Sequence, residues 1–540
     1  MATKLSRRDF IKQSSAVAVA ATVAGQAHAA APKPPNIVII MADDMGYSDI
    51  GCYGGEIQTP NLDRLAAGGL RFTQFYNNAK CAPTRASLLT GLYSQQCNVH
   101  NGPVVMENCA TIAELLRPAG YRTLMAGKWH AQQLPTERGF DHYYGLADGC
   151  CNFWNPGEQR PGEPKPAEKN YPRKWADDGE VSQPFTPEDR DFYTTDAFTE
   201  RALGYLDDNA NEDNPFFLYL PYTAPHYPLH AHPEDIAKYR GKYMEGWDVI
   251  RDRRRERMIE MGLIKESWGL APRDARVAAW EDVEDKDAWD MDAFHKKNGE
   301  GISWDDARDR EMWDLKMAVY AAMVDRMDQN IGRVLSKIRE LGEESNTLVL
   351  FLSDNGGCAE TRHSTPDVPP GPVNSYRTVD PPWATVQNTP FRKFKRWDHE
   401  GGISTPLIAY WPGVVKPGTM TNEIGHIIDL MPTCLDLAGA EYPQSFAGQA
   451  IPECEGKSLL PTLEGKIRTG HDALYWQFSD CRAVRSGDWK AVWSKNGPWE
   501  LYNIEDDRCE LNDLAADHPD KVNNLSAKWT AWAKRCGVNI

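Results

Sequence analysis

No apolar run in this 540-residue chain reaches 18 residues, so no segment is predicted to span a membrane and no membrane anchor is expected. No C-x-x-C pair occurs among the 12 cysteines, which argues against a structural zinc site. Positive charge is scarce: 60 Lys and Arg stand against 77 Asp and Glu, for a formal net charge of −17. A surface that acidic argues against nucleic acid as a partner. It also means that an anionic substrate must be drawn by local cations and not by the field of the whole molecule. Internal repeats are absent too.

What is present begins with a leader. Ser6-Arg7-Arg8-Asp9-Phe10-Ile11-Lys12 carries paired arginines and is followed by a weakly apolar run from Ser14 to Gly25 and a small-residue site, Ala27-His28-Ala29. This pattern predicts a twin-arginine signal peptide over residues 1–29, with the Tat translocase as partner and a periplasmic or secreted location. The alternative, a basic disordered arm, leaves Phe10, Lys12 and the A-x-A site without a role.

The remaining length exceeds one typical domain. Asn36–Met41, Pro215–Leu220, Thr347–Leu352 and Pro406–Trp411 are short apolar runs rich in β-branched or aromatic residues and read as buried strands. Helical patterns lie between them, at Asn61–Ala67, Arg85–Leu89, Thr111–Ala119, Asp191–Asn209 and Met312–Leu341. The alternation predicts an α/β fold: a large mixed, mostly parallel sheet sandwiched by helices, over residues 30–465. Residues 156–190 and 361–388 read as Pro-rich loops, and 233–311 as a charged helical insertion carrying Trp247, Trp268, Trp280, Trp289 and Trp304. Those tryptophans either stack on a ring substrate or pin a polar insertion to the body. Residues 466–540 change character: four short strand-like runs at hairpin spacing precede a last helix, Asp520–Lys534, predicting a small C-terminal antiparallel sheet plus helix.

The chemistry-bearing residues fall at strand ends. Asp43-Asp44 and Asp354-Asn355 each follow a buried strand, at the carboxyl edge where α/β folds bind ligands. Taken singly, either pair reads as a turn. Together they form an all-oxygen cluster that suits Ca2+ or Mg2+ rather than zinc. Gly127-Lys128-Trp129-His130 sets a cation and an imidazole two residues apart, on one side of an extended segment. His226 follows another strand, and with Lys395 it is a candidate to stabilise or protonate a leaving oxygen. Cys81-Ala82-Pro83-Thr84-Arg85 reads C-x-P-x-R, with Arg85 one helical turn after Cys81. Its plain reading is a cysteine before a helix start, with Pro83 near the first turn. A helix opening there also points backbone N–H groups at anionic oxygens.

The chain resembles the type I, formylglycine-dependent sulfatases of the arylsulfatase-like branch, in the alkaline phosphatase superfamily. The stretches that carry the resemblance are NIVIIMADDMGYSDIGCYGGEIQTPNLDRLA, CAPTRASLLTG, AGKWH, PFFLYLPYTAPHYP, LFLSDNGG, TPFRKFKRWDHEGGISTPLIAYWPG and WELYNIEDDRCELNDLA, in the family's order and spacing. The resemblance implies that Cys81 is oxidised to formylglycine by a formylglycine-generating enzyme, before export of the folded chain. It implies calcium held by Asp43, Asp44, Asp354, Asn355 and residue 81 itself. Arg85 supports residue 81, Lys128 and His130 contact the hydrate and the sulfate, and His226 and Lys395 face the leaving group. The implied reaction is hydrolysis of an aryl or carbohydrate sulfate. One hydroxyl of the aldehyde hydrate attacks sulfur, a covalent sulfo-enzyme forms, and His130 as base triggers release of sulfate. Sulfated polysaccharide fragments are candidate substrates. Phosphonate or phosphate ester hydrolysis on the same fold, and non-catalytic binding of a sulfated glycan, are the rival readings. Gln95-Gln96-Cys97-Asn98-Val99-His100 departs from the His-Gln-Ala-Gly-type run of many relatives, which predicts a different substrate pocket there. Conversion of Cys81 would leave an odd number of cysteines, and hence a free thiol or an intermolecular link.

Overall fold

The computed structural model describes residues 33–99, 104–168, 172–210, 212–295 and 301–538. The predicted leader lies outside them, as does His100. Among the described residues no helix is long and apolar enough to cross a membrane.

The apolar runs become the centre of one mixed sheet. Its strands are β1 (Asn36–Ala42), β2 (Leu70–Tyr76), β3 (Arg122–Ala126), β4 (His142–Leu146), β5 (Trp175–Asp177), β6 (Glu180–Ser182), β7 (Phe216–Pro221), β8 (Thr347–Ser353), β9 (Ser404–Tyr410), β10 (Thr419–Thr421) and β11 (Gly425–His426). They run in the order β10-β2-β9-β8-β1-β7-β3-β4-β5-β6, with β11 also on β2. The five central strands β8, β1, β7, β3 and β4 are parallel, while β9, β5 and β6 are antiparallel to their neighbours. β1 shows why this order is stable. Its side chains alternate: Val38, Ile40 and Ala42 enter one core, Ile37, Ile39 and Met41 the other, and all are fully buried.

The long helices are α1 (Pro60–Gly68), α2 (Cys81–Thr90), α3 (Thr194–Asn209), α4 (Trp247–Glu260), α5 (Arg310–Glu340), α6 (Asp380–Gln387), α7 (Leu430–Ala438) and α8 (Pro519–Arg535). α5 packs Met317, Val324, Met327 and Ile331 into the first core. Its Asp309 cap accepts from the Met312 amide, and Lys337 and Arg339 face the negative end of its dipole. The second core takes residues of α2 and α7 together with the antiparallel sheet β14 (Leu474–Phe478), β15 (Cys481–Ser486), β16 (Trp489–Ser494) and β17 (Trp499–Asn503), and with Trp529 and Trp532 of α8. A two-stranded ribbon, β12 (Ser445–Phe446) and β13 (Gln449–Ala450), precedes that sheet. Pro35–Ile540 forms one compact unit.

Three expectations change. The segment 361–388 is not all loop, because it ends in α6, whose eight residues are all buried. Prolines at its first turn are compatible with a helix start, where no amide donor is lost. The segment 156–190 contributes β5 and β6 to the sheet edge. In 233–311, α4 is the one helix longer than five residues among those described before α5 begins at Arg310, and much of the rest is turn. Its tryptophans hold the insertion down: Trp247 meets Trp313 edge-on at 5.6 Å, and Trp289 stacks on Trp313 at 5.9 Å.

A buried ion network joins the C-terminal sheet to the main one. Glu400 receives Lys490 at 2.9 Å and Arg508 at 2.9 Å, and Lys490 also meets Glu510 at 2.8 Å. Tyr76 of β2 donates to the same Glu400 carboxylate. Lys490→Met would leave two buried carboxylates short of their shared cation, and we expect a loss of about 3–5 kcal/mol in urea unfolding. The sign with pH follows from Glu400. Burial opposes its charge, but Lys490 and Arg508 outweigh burial and hold it at about 2, against an ordinary 4.5. Its contribution is complete above pH 4.5 and is lost as pH falls towards 2. Wild-type unfolding midpoints that stay level across that window would contradict this.

Candidate active site

Four adjacent parallel strands deliver their carboxyl ends to one place. β1 ends at Asp43-Asp44, and β8 beside it ends at Asp354-Asn355. The register pairs Ala42 with Ser353, so the two acidic turns lie side by side. The Asp354 amide donates to the Ala42 carbonyl at 3.1 Å, and the Asp44 amide donates to Asp354 Oδ1 at 3.2 Å. Asp44 has φ 64°, a conformation that Asp tolerates better than most residues. On the other flank, β7 leads to His226. β3 leads to Lys128, whose amide donates to the Pro221 carbonyl at 2.8 Å. Gly127 before it has φ 139°, and a Cβ there would lie 2.1 Å from the Pro221 oxygen, so only glycine lets β3 and β7 close at this edge.

α2 brings Cys81. The cysteine is the first residue of the helix, after Lys80 as N-cap, and it is buried. Ligand atoms of Cys81, Asp43 and Asp354 lie within 4.8 Å of one another, as do those of Asp43, Asp44 and His226. One turn on, Arg85 donates from Nη2 to Asp354 Oδ2 at 2.8 Å and from Nη1 to the Lys128 carbonyl at 3.0 Å.

Three carboxylates thus meet three cations. Lys128 Nζ donates to Asp43 Oδ2 at 2.5 Å, Lys395 Nζ reaches both Asp44 oxygens at 2.5 and 2.7 Å, and Arg85 holds Asp354. Asn355 donates to Asp44 Oδ1 at 2.8 Å. Burial and the adjacent Asp354 push the Asp43 carboxyl up, against the pull of Lys128. Burial also opposes charge on Asp44, but Lys395 and His226 outweigh it and hold that carboxyl below the usual range. His226 Nδ1 lies 2.6 Å from the Tyr227 carbonyl. A carbonyl only accepts, so Nδ1 carries the hydrogen, and Nε2 faces Asp44 Oδ2 at 3.4 Å. Burial, followed by Lys128 and Arg85, drives His130 well below its ordinary value, so the ring is neutral.

Asp43 Oδ1 and Asn355 Oδ1 are buried and accept no hydrogen bond from the described residues. Two orphaned oxygens among three close carboxylates are what a hard divalent cation would satisfy, so the donor set fits one. The predicted residues Asp43, Asp44, Cys81, Arg85, Lys128, His226, Asp354, Asn355 and Lys395 come together. His130 stands apart from the hydrogen-bonded cluster, with φ 68° and Nδ1 unbonded. Gln95–Val99 packs elsewhere: Gln95 donates to Gln477 on β14, and none of the five lines the cleft at Lys395.

The supporting residues carry no signal in the sequence. Asp49 accepts from Arg254 at 2.7 Å and from Tyr320 at 2.7 Å, fixing the turn that presents Asp44. Arg254 sits in the charged run RDRRRER, where nothing marks the two arginines that are buried, Arg251 and Arg254.

The comparisons with known proteins agree with this geometry. The sulfatase family model matches residues 35–440, and that of the N-sulphoglucosamine sulphohydrolase C-terminal region matches 391–531. An uncharacterized sulfatase of Schizosaccharomyces pombe is 33% identical over 94% of each chain. An arylsulfatase of Klebsiella aerogenes is 31% identical over 85% of this chain and 98% of its own. Among solved structures, Ps i-CgsB in complex with k-i-k-neocarrahexaose superposes with a TM-score of 0.64 at 25% identity, covering 93% of both chains. The paired acidic strand ends, the C-x-P-x-R helix start and these matches over nearly the whole chain lead to one assignment: the protein belongs to the sulfatase family and is a sulfuric ester hydrolase.

Proposed function

We propose that the chain hydrolyses a carbohydrate sulfate, using formylglycine made from Cys81 and a calcium ion held by Asp43, Asp44, Asp354 and Asn355. The observation that carries this reading is Cys81 at the first turn of α2, within 4.8 Å of Asp43 and Asp354, with Arg85 bonded to Asp354. A bound cation would polarise the S–O bonds, and a hydrated aldehyde supplies two hydroxyls on one carbon, one to accept the sulfuryl group and one to expel it. Arg85 and the α2 N-terminus favour oxygen anions at residue 81. Neutral His130 takes a proton, and Lys395 supplies one to the departing sugar oxygen, with His226 beside it. The carbohydrate class is supported by the neocarrahexaose complex of the similar Ps i-CgsB.

Turnover of nitrophenyl sulfate, nitrophenyl phosphate and phenylphosphonate tests the reaction. Sulfate is expected to lead by at least about tenfold in kcat/KM. Sulfate turnover below both phosphorus esters would sink this reading in favour of the phosphonate or phosphate alternative. Export by the twin-arginine leader belongs to the same proposal. Arg7→Lys with Arg8→Lys is expected to retain the protein in the cytoplasm, and unchanged periplasmic yield would refute it.

A further inference from the structure

The His130 side chain is placed by contact and not by hydrogen bonds. Its backbone is left-handed, at φ 68°, and its amide donates to the Ala147 carbonyl at 3.1 Å, beyond the ends of β3 and β4. Among the described residues no hydrogen bond fixes either nitrogen of its ring. Gly149 supplies the contact. A Cβ added there would lie 2.5 Å from His130 Nε2, 2.7 Å from Cε1 and 3.1 Å from Cδ2, and those are its three nearest atoms. Gly149 lies outside the left-handed region, so its own backbone does not require glycine. The turn that carries it is pinned on both sides. On one side Asp148 accepts from the Lys174 amide at 2.6 Å, and the Ala147 amide donates to the Lys174 carbonyl at 2.9 Å. On the other, fully buried Asn152 donates to the carbonyls of Ala167 at 3.0 Å and Val373 at 2.6 Å. The ring lies close enough to Lys128, Arg85, Lys80 and Lys395 to feel their charges.

We propose that Gly149 is a positioning residue: the side chain it lacks is the space that the His130 imidazole occupies, and the pinned turn at 148–151 holds that ring beside Lys128, Arg85 and Lys395. Any larger residue drives the ring away. Nonbonded heavy atoms settle at about 3.5–4.0 Å, so an alanine pushes the ring back by about 1 Å. A displacement of that size at a reacting group costs up to about 10²-fold in rate. This rests on the reading of His130 as the base that takes a proton as sulfate leaves, and it adds the residue that aims it.

The test is Gly149→Ala in the mature enzyme, alone and combined with His130→Ala, on nitrophenyl sulfate. Gly149→Ala is expected to lower kcat by about 10–10²-fold, and His130→Ala by at least as much. In the His130→Ala background the added methyl finds empty space, so Gly149→Ala should change kcat there by less than about twofold. A base that serves sulfate release acts after nitrophenolate has left. Both single variants should therefore show a burst of about one nitrophenolate per active site before the slow steady state. A merely structural defect would shrink that burst and would add its loss to that of His130→Ala. A readout free of turnover is the crystal structure of Gly149→Ala, in which the imidazole should stand about 1 Å from its present place. If Gly149→Ala does not fold, the double variant should, because the ring it displaces is gone. Unchanged kcat in Gly149→Ala, an unmoved ring, multiplied losses in the double variant, or a double variant that misfolds where His130→Ala folds would overturn the proposal. Unchanged turnover in His130→Ala would instead remove the base reading, and this proposal with it.

Discussion

Replacing Cys81 with alanine or serine is expected to lower sulfate ester turnover by at least about 10⁴-fold, the scale on which removal of a nucleophile acts. Neither side chain can become an aldehyde hydrate. Alanine has nothing with which to attack sulfur. Serine has one hydroxyl and lacks the second, so it stalls after attack or does not react. The fold should survive, because Cys81 is the first residue of α2 and a small residue fits its place there. Far-ultraviolet circular dichroism and the unfolding midpoint separate that case from misfolding. The companion measurement is the mass of the tryptic peptide that holds residue 81. Conversion of –CH₂SH to –CHO lowers it by about 18 Da, whereas each step of the thiol oxidation ladder raises it. Full activity in a peptide of unshifted mass would remove formylglycine from the mechanism.

The second large effect concerns the carboxylates. Chelation of divalent cations is expected to cut activity by at least about 10²-fold and to lower the melting temperature, with both restored by Ca2+. Without a cation the cluster balances its three acids against Lys128, Lys395 and Arg85, and it leaves Asp43 Oδ1 and Asn355 Oδ1 unsatisfied. A divalent ion would satisfy those oxygens and offset the burial and the repulsion from Asp354 that hold Asp43 above its ordinary value. Asp354→Ala should abolish Ca2+ binding by calorimetry, since it removes a ligand and strands the buried Arg85 guanidinium. Undiminished activity and melting temperature after chelation, with Asp354→Ala also binding Ca2+, would exclude the metal reading.

The parts that were legible share a physical cause. β1, β7, β8 and β9 are buried on both faces, so their sequences are almost unbroken apolar runs that no other element resembles. The C-terminal strands are separated by tight turns, which leave hairpin spacing in the sequence. Elements with mixed environments were less visible. α6 carries two prolines, which local propensity reads as loop, and tertiary burial of Trp383 and Val386 overrides it. β2 reads Leu-Arg-Phe-Thr-Gln-Phe-Tyr, with a register shift between Phe72 and Phe75 that breaks strict alternation.

The same division runs through the site. The sequence alone pointed to sulfate ester hydrolysis, because Cys81, Arg85 and the two acidic pairs lie in short segments whose order and spacing resemble the sulfatases. Tertiary structure alone decided which charges meet. Lys128 and Lys395, read as contacts for sulfate and leaving group, each lie on a carboxylate, 85 and 351 residues away in the chain. Glu360 lies 3.4 Å from Lys80 across 280 residues of sequence. Attraction between charges depends on distance in space and on the water around them, and neither is written in the order of residues.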